Sequence, residues 1–147
     1  MAPFHEALSL GRPGRSVTRC LKDAFLLPAL SSSVAEARGL VLVRLRDWGI
    51  DEEVRENAVL VVSELVTNAV RHTTTASVRC ELRLAEALLR LEVADQGGAR
   101  TQPRTRPVSA DQEGGRGLML VEALAESWGV RPHESGQGRT VWACLTG

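Results

Sequence analysis

Glu64 and Asn68 stand four residues apart in the run Ser63-Glu64-Leu65-Val66-Thr67-Asn68-Ala69-Val70-Arg71-His72, whose apolar spacing is helical. At about 100° per residue, Val54, Ala58, Val61 and Leu65 fall on one stripe of that helix. Asn68 lies in the middle of the stripe, Glu64 and Asn57 lie along one edge, and Val62 and Ala69 lie along the other. An amide and a carboxylate are thus aimed toward the interior, where an unpaired polar group costs about 1–3 kcal/mol and a charge more. A metal ion or a water-filled pocket would give both a partner; so would the caps of neighbouring loops. A second break follows in a strand-like run. Leu89, Leu91, Val93 and Asp95 share a face, so an apolar face ends in a carboxylate, just before Gln96-Gly97-Gly98. That carboxylate suits an amino donor such as adenine's, or it starts a turn. The third break is Gly115-Arg116-Gly117-Leu118. Small residues before a helix leave its N-terminal N–H groups open to an anion, with Arg116 adding charge, or they form a flexible entry turn. No G-x-x-x-x-G-K-[ST] run exists, so this is not a P-loop.

The elements that must position these residues follow from period and punctuation. Ala24-Phe25-Leu26-Leu27 predicts a short strand ended by Pro28. Ser33 with Glu36 three residues on predicts a capping box. The helix it starts carries Val34, Ala37, Val41, Leu45 and Trp48 at helical spacing, and Gly49 stops it. Asp51 is placed to cap the helix that bears Glu64 and Asn68 and runs to about His72. Val78, Cys80, Leu82 and Leu84 alternate with Ser77, Arg79, Glu81 and Arg83, and with the strand before Asp95 they form a hairpin about Ala85-Glu86-Ala87. Residues 96–115 are aperiodic and rich in Gly, Pro, Arg and Gln, a length of loop that is usually functional or mobile. A helix over 118–126 and two closing strands, 127–130 and 140–145, about Gly136-Gln137-Gly138 complete the chain. Residues 1–19 show no period and are expected to be a flexible arm, leaving 20–147 as one domain.

Composition narrows the function class. The 147 residues are 44 % hydrophobic and 24 % charged, a globular balance able to bury a core. Lys+Arg and Asp+Glu both number 18, so no basic excess draws the chain to nucleic acid or an anionic membrane. No apolar run approaches the roughly 18 residues of a membrane span, and the start lacks a signal peptide's apolar stretch. Cys20, Cys80 and Cys144 form neither a zinc pattern nor a disulfide framework, and Cys80 and Cys144 read as small core residues. A cytoplasmic protein is expected.

Taken in order, Glu64-x-x-x-Asn68, Asp95-x-Gly97, a loose loop, Gly115-x-Gly117 and a terminal strand with Thr140 resemble the GHKL ATPase fold of DNA gyrase and histidine kinases. More narrowly, the run 63–72 is similar to the N box of bacterial anti-sigma factor serine/threonine kinases. Gly115-Arg116-Gly117-Leu118 and Gly138-Arg139-Thr140-Val141-Trp142-Ala143 resemble small actinobacterial members of that group. The resemblance covers about residues 24–145. It implies an α/β two-layer sandwich with a mixed, mostly antiparallel sheet and helices on one face. It implies that Glu64 is the general base and that Asn68 holds Mg²⁺ on the phosphates of ATP. Asp95 would bind the adenine amino group, with Gly97 giving the ring room. Gly115, Arg116 and Gly117 would border the triphosphate beneath a lid over 99–114, and Thr140 would touch the adenine site. It also implies a homodimer, a sigma factor partner and a STAS-type antagonist that the kinase phosphorylates. Ala99 stands where the family's first glycine box often has its last glycine, and the second box is short. A non-catalytic nucleotide- or protein-binding regulatory module of the same fold is therefore the second reading. A histidine kinase fragment would need an upstream phosphoacceptor helix pair, and none is readable before residue 33.

Overall fold

The computed structural model describes residues 20–72, 76–95, 118–133 and 138–146. The expected arm over 1–19, the lid over 99–114, and Gly97, Gly115, Arg116 and Gly117 lie outside the described residues, as do Gly136 and Gln137. In chain order the elements are β1 (Cys20–Pro28), α1 (Ser33–Asp47), α2 (Glu52–His72), β2 (Ser77–Ala85), β3 (Leu88–Asp95), α3 (118–124), β4 (Ser127–Pro132) and β5 (Arg139–Thr146). The strands form one sheet in the order β1-β2-β3-β5-β4, antiparallel at every pairing. The α/β sandwich expected from the sequence is thus found.

Alternation makes the layers. Val78, Cys80, Leu82, Leu89, Leu91, Val93, Val141, Ala143 and Leu145 point to one face and are almost wholly buried. They share a core with Ala37, Val41 and Leu45 of α1 and Ala58, Val61, Val62, Leu65 and Val66 of α2. Cys80 is inside this core, as its strand pattern predicts, and burial, opposed only in part by Arg79, pushes its thiol up to about 12. Such a thiol is inert at neutral pH.

The helix ends show where local reading holds and where it fails. Gly49 has φ 76°, and its N–H donates to Arg46 O while the Ile50 N–H reaches back to Leu45 O. That is a Schellman ending, with buried Ile50 set against buried Leu45. The capping box at Ser33 is a correction. Ser32 is the N-cap and makes no side-chain cap bond, while the Ser33 hydroxyl donates to Pro28 O at 2.7 Å. Ser33 is buried against the end of β1, so its hydroxyl is consumed by the strand-to-helix turn. β1 also begins four residues earlier than its apolar run, because pairing with β2 from Cys20↔Ala85 onward extends it.

The opposite sheet face is a charged layer. One row crosses all five strands: Ala24, Glu81, Glu92, Trp142 and Gly129. Two glutamates directly opposite one another would repel. Glu81 accepts from Arg79 at 2.8 Å and Arg83 at 2.7 Å, and Glu92 accepts from Arg90 at 2.6 Å with Arg131 at 3.8 Å. Burial works to raise the Glu81 carboxyl, but the hydrogen bonds from Arg79 and Arg83 outweigh it and hold Glu81 below the ordinary carboxylate value. The Arg90 guanidinium also lies over the Trp142 ring, 4.6 Å from its centroid. That ring also lies close against Gly129, where an added Cβ would meet Trp142 Cζ2 at 2.7 Å. Gly129→Ala is therefore expected to lower stability by about 1–3 kcal/mol through overpacking. Gly39→Ala, in the exposed middle of α1 with nothing within 4 Å of the new Cβ, is expected to raise it by about 0.5–1 kcal/mol. Urea unfolding of the two variants should give shifts of opposite sign.

Candidate functional site

The site is assembled where α2 passes the ends of β3 and β5. Asn68 and Glu64 are both half-buried, one turn apart, beside the fully buried Leu65. Asp95, the last residue of β3, is 6 % exposed and lies on the same face as Leu89, Leu91 and Val93. The carboxylate thus sits at the end of an apolar floor, as the alternation predicts.

The residue that joins these two elements is Arg139, which sequence reasoning did not single out. Its main-chain N–H donates to Asp95 Oδ1 at 3.3 Å, and its guanidinium Nη2 donates to Asn68 Oδ1 at 3.3 Å. The first bond prolongs the β3–β5 ladder by one step beyond its last backbone pair, Ala94↔Thr140, with a side chain in the acceptor's place. The face of β5 decides the rest. Val93 pairs with Val141, so Arg139, Val141, Ala143 and Leu145 face the helices with Asp95. Thr140 faces the other way, with Trp142 and Cys144, and its buried hydroxyl lies 3.1 Å from His133 Nε2. The fold therefore brings Asn68, Asp95 and Arg139 together, with Glu64 one turn away, and puts the Thr140 side chain on the opposite sheet face. The apolar alternation Val141, Ala143, Leu145 carried the signal for Arg139, two residues earlier on the same face.

The donor set fits a nucleotide with its metal. The Asn68 amide oxygen is a hard neutral ligand of the kind Mg²⁺ takes, singly, alongside phosphates and water. Asp95 is an acceptor at the margin of an apolar surface, which suits a flat base with an exocyclic amine.

The α/β sandwich thus brings a helix-borne amide and a strand-end carboxylate to one arginine. The chain belongs to the histidine kinase-like ATPase domain family, whose match spans residues 27–145. Membership carries ATP binding with it. The fold is similar to that in the crystal structure of the RsbU and RsbW domains of Rv1364c from Mycobacterium tuberculosis, with a TM-score of 0.65 over 85 % of this chain at 22 % identity. This chain spans 31 % of that one. No curated protein matches the chain. Among the described residues, no helix is long and apolar enough to cross a membrane.

Proposed function

We propose that this chain is an anti-sigma factor and serine/threonine protein kinase that acts as a cytoplasmic homodimer. It sequesters a sigma factor and phosphorylates a STAS-type antagonist with Mg²⁺·ATP. The observation that carries the nucleotide part is the meeting of Asn68 and Asp95, from different elements, at Arg139. The partners rest on the resemblance of the run 63–72 to the N box of such kinases and on the likeness to a structure containing an RsbW domain.

Each residue has a separable task. Asp95 accepts from the base's amino group and orients the nucleotide. Asn68 Oδ1 would hold Mg²⁺, which would supply charge neutralisation at the phosphates. By the resemblance, Gly97 would give the ring room and Gly115, Arg116 and Gly117 would border the phosphates, while the Thr140 side chain, on the outer sheet face beside His133, takes no part in holding the base. Glu64 removes the proton of the incoming Ser or Thr hydroxyl as its oxygen bonds to the γ-phosphorus. The bond from that phosphorus to the β–γ bridging oxygen breaks, and ADP leaves with its electron pair. Such transfer depends mainly on positioning and charge neutralisation.

Asp95→Asn tests the nucleotide site. The amide keeps an acceptor oxygen for the Arg139 N–H but presents donors where the base also donates. ADP affinity measured by calorimetry is expected to fall about 10–150-fold, the worth of a charge-assisted hydrogen bond, with the melting temperature nearly unchanged. Wild-type affinity in the variant would refute the assignment. Incubation with γ-labelled ATP and purified STAS proteins tests the kinase part. Tight ATP binding with no labelled partner would favour the non-catalytic regulatory module, the reading that Ala99 supports.

A further inference from the structure

Five arginines belong to the described sheet, and four are ion-paired: Arg79 and Arg83 with Glu81, Arg90 and Arg131 with Glu92. Arg139 is the exception. It is half-buried and pairs with no carboxylate among the described residues. Its one side-chain bond there goes to a neutral amide oxygen, Asn68 Oδ1. A guanidinium carries five N–H donors in a rigid fork that matches phosphate, and among the described residues only one is used, on a weak neutral acceptor. Its backbone is meanwhile fixed at Asp95. So the residue spans from the carboxylate end of the site to the amide end, with a positive charge that no carboxylate pairs among the described residues.

We propose that Arg139 is the resident cation of the nucleotide site, occupying the Asn68 oxygen when metal is absent and pairing with nucleotide phosphate in the metal's stead. This rests on the nucleotide-binding reading above and adds a regulation to it. Mg²⁺ and Arg139 compete for one amide oxygen, so the protein takes up nucleotide with little dependence on free Mg²⁺. The Arg139 guanidinium would have to leave Asn68 Oδ1 for a metal ion to be held there.

The test is ADP binding by calorimetry in Mg²⁺ and in excess EDTA, for the wild type, Arg139→Gln and Arg139→Lys. The wild type is expected to bind in both buffers with affinities within about tenfold. Arg139→Gln is expected to lose metal-free affinity by about 10–150-fold, the worth of charged hydrogen bonds. It should lose much less in Mg²⁺, because Asn68 is freed. Arg139→Lys keeps the charge and should bind in EDTA within about tenfold of the wild type. Either substitution leaves the main-chain bond to Asp95 in place, which equal melting temperatures would verify. A wild type that binds only with Mg²⁺ overturns the proposal. So does an unchanged Mg²⁺/EDTA ratio in Arg139→Gln, or a lysine variant as defective as the glutamine one. In those three cases nucleotide binding itself stands. A wild type that binds ADP in neither buffer removes the nucleotide reading and the role of Arg139 with it.

Discussion

Glu64→Gln is expected to lower phosphorylation of a STAS antagonist by roughly 10²–10⁴-fold, the usual worth of a positioned general base. ADP affinity should stay within about threefold of the wild type, and complexes with the sigma factor and antagonist should persist. Glutamine has nearly the same shape and hydrogen-bonding reach, so the substitution removes basicity and little else. The surroundings favour so clean a result. Glu64 is half-buried on the site edge of α2, whereas the positions that pack the helix are Ala58, Val61, Val62, Leu65, Val66 and Ala69. The readout is initial rate with labelled ATP beside calorimetry on the same preparations. A variant that transfers phosphate at the wild-type rate would end the general-base role without touching the fold.

Leu65→Ala, one residue along, should instead act on stability. Leu65 is wholly buried in the cluster that joins α2 to the sheet. Truncating such a leucine costs about 2–5 kcal/mol, the transfer loss plus the cavity left behind. Against a total of about 5–15 kcal/mol for a domain, that is a large fraction. Leu60, on the same helix but 47 % exposed, serves as the control, and Leu60→Ala should cost about 0.5 kcal/mol or less. Urea midpoints with unchanged slopes would measure both. Equal effects at the two positions would contradict the burial of the α2 face.

Much of this was readable in the chain before folding. Helix α2 announced itself by an apolar stripe broken at Glu64 and Asn68, and β3 by a face ending in Asp95. Both signals are local, because a helix or strand period needs no knowledge of neighbours. Gly49 was equally legible, since only the left-handed φ of a helix ending required it. The Ser33 capping box failed because tertiary contact decided it: the nearby Pro28 carbonyl competed for the hydroxyl. Arg139 was missed for a similar reason. A charged residue after Gly138 reads as solvated, and only the long-range pairing of β5 with β3 carries it to Asp95. Thr140 was singled out by the family resemblance, while its register places it with Trp142 and Cys144 on the outer face.

The strand order has a kinetic meaning as well. Two of the four pairings, β2–β3 and β4–β5, join strands adjacent in the chain, and the other two, β1–β2 and β3–β5, close long loops. Loop closure is slow and entropically costly relative to forming a hairpin. Asp95 belongs to the first hairpin and Arg139 to the second, so the site comes into being only when the second hairpin docks on β3. Opening of that seam alone would dismantle the site while most of the core around α1, α2, β1 and β2 persisted. A ligand held by Asp95 and Arg139 together would bind only the docked form and so oppose the opening by mass action, by about 2.7 kcal/mol at a hundred times its dissociation constant. Occupancy of the site and closure of the β3–β5 seam are then one equilibrium, and amide exchange along β5 would report on both.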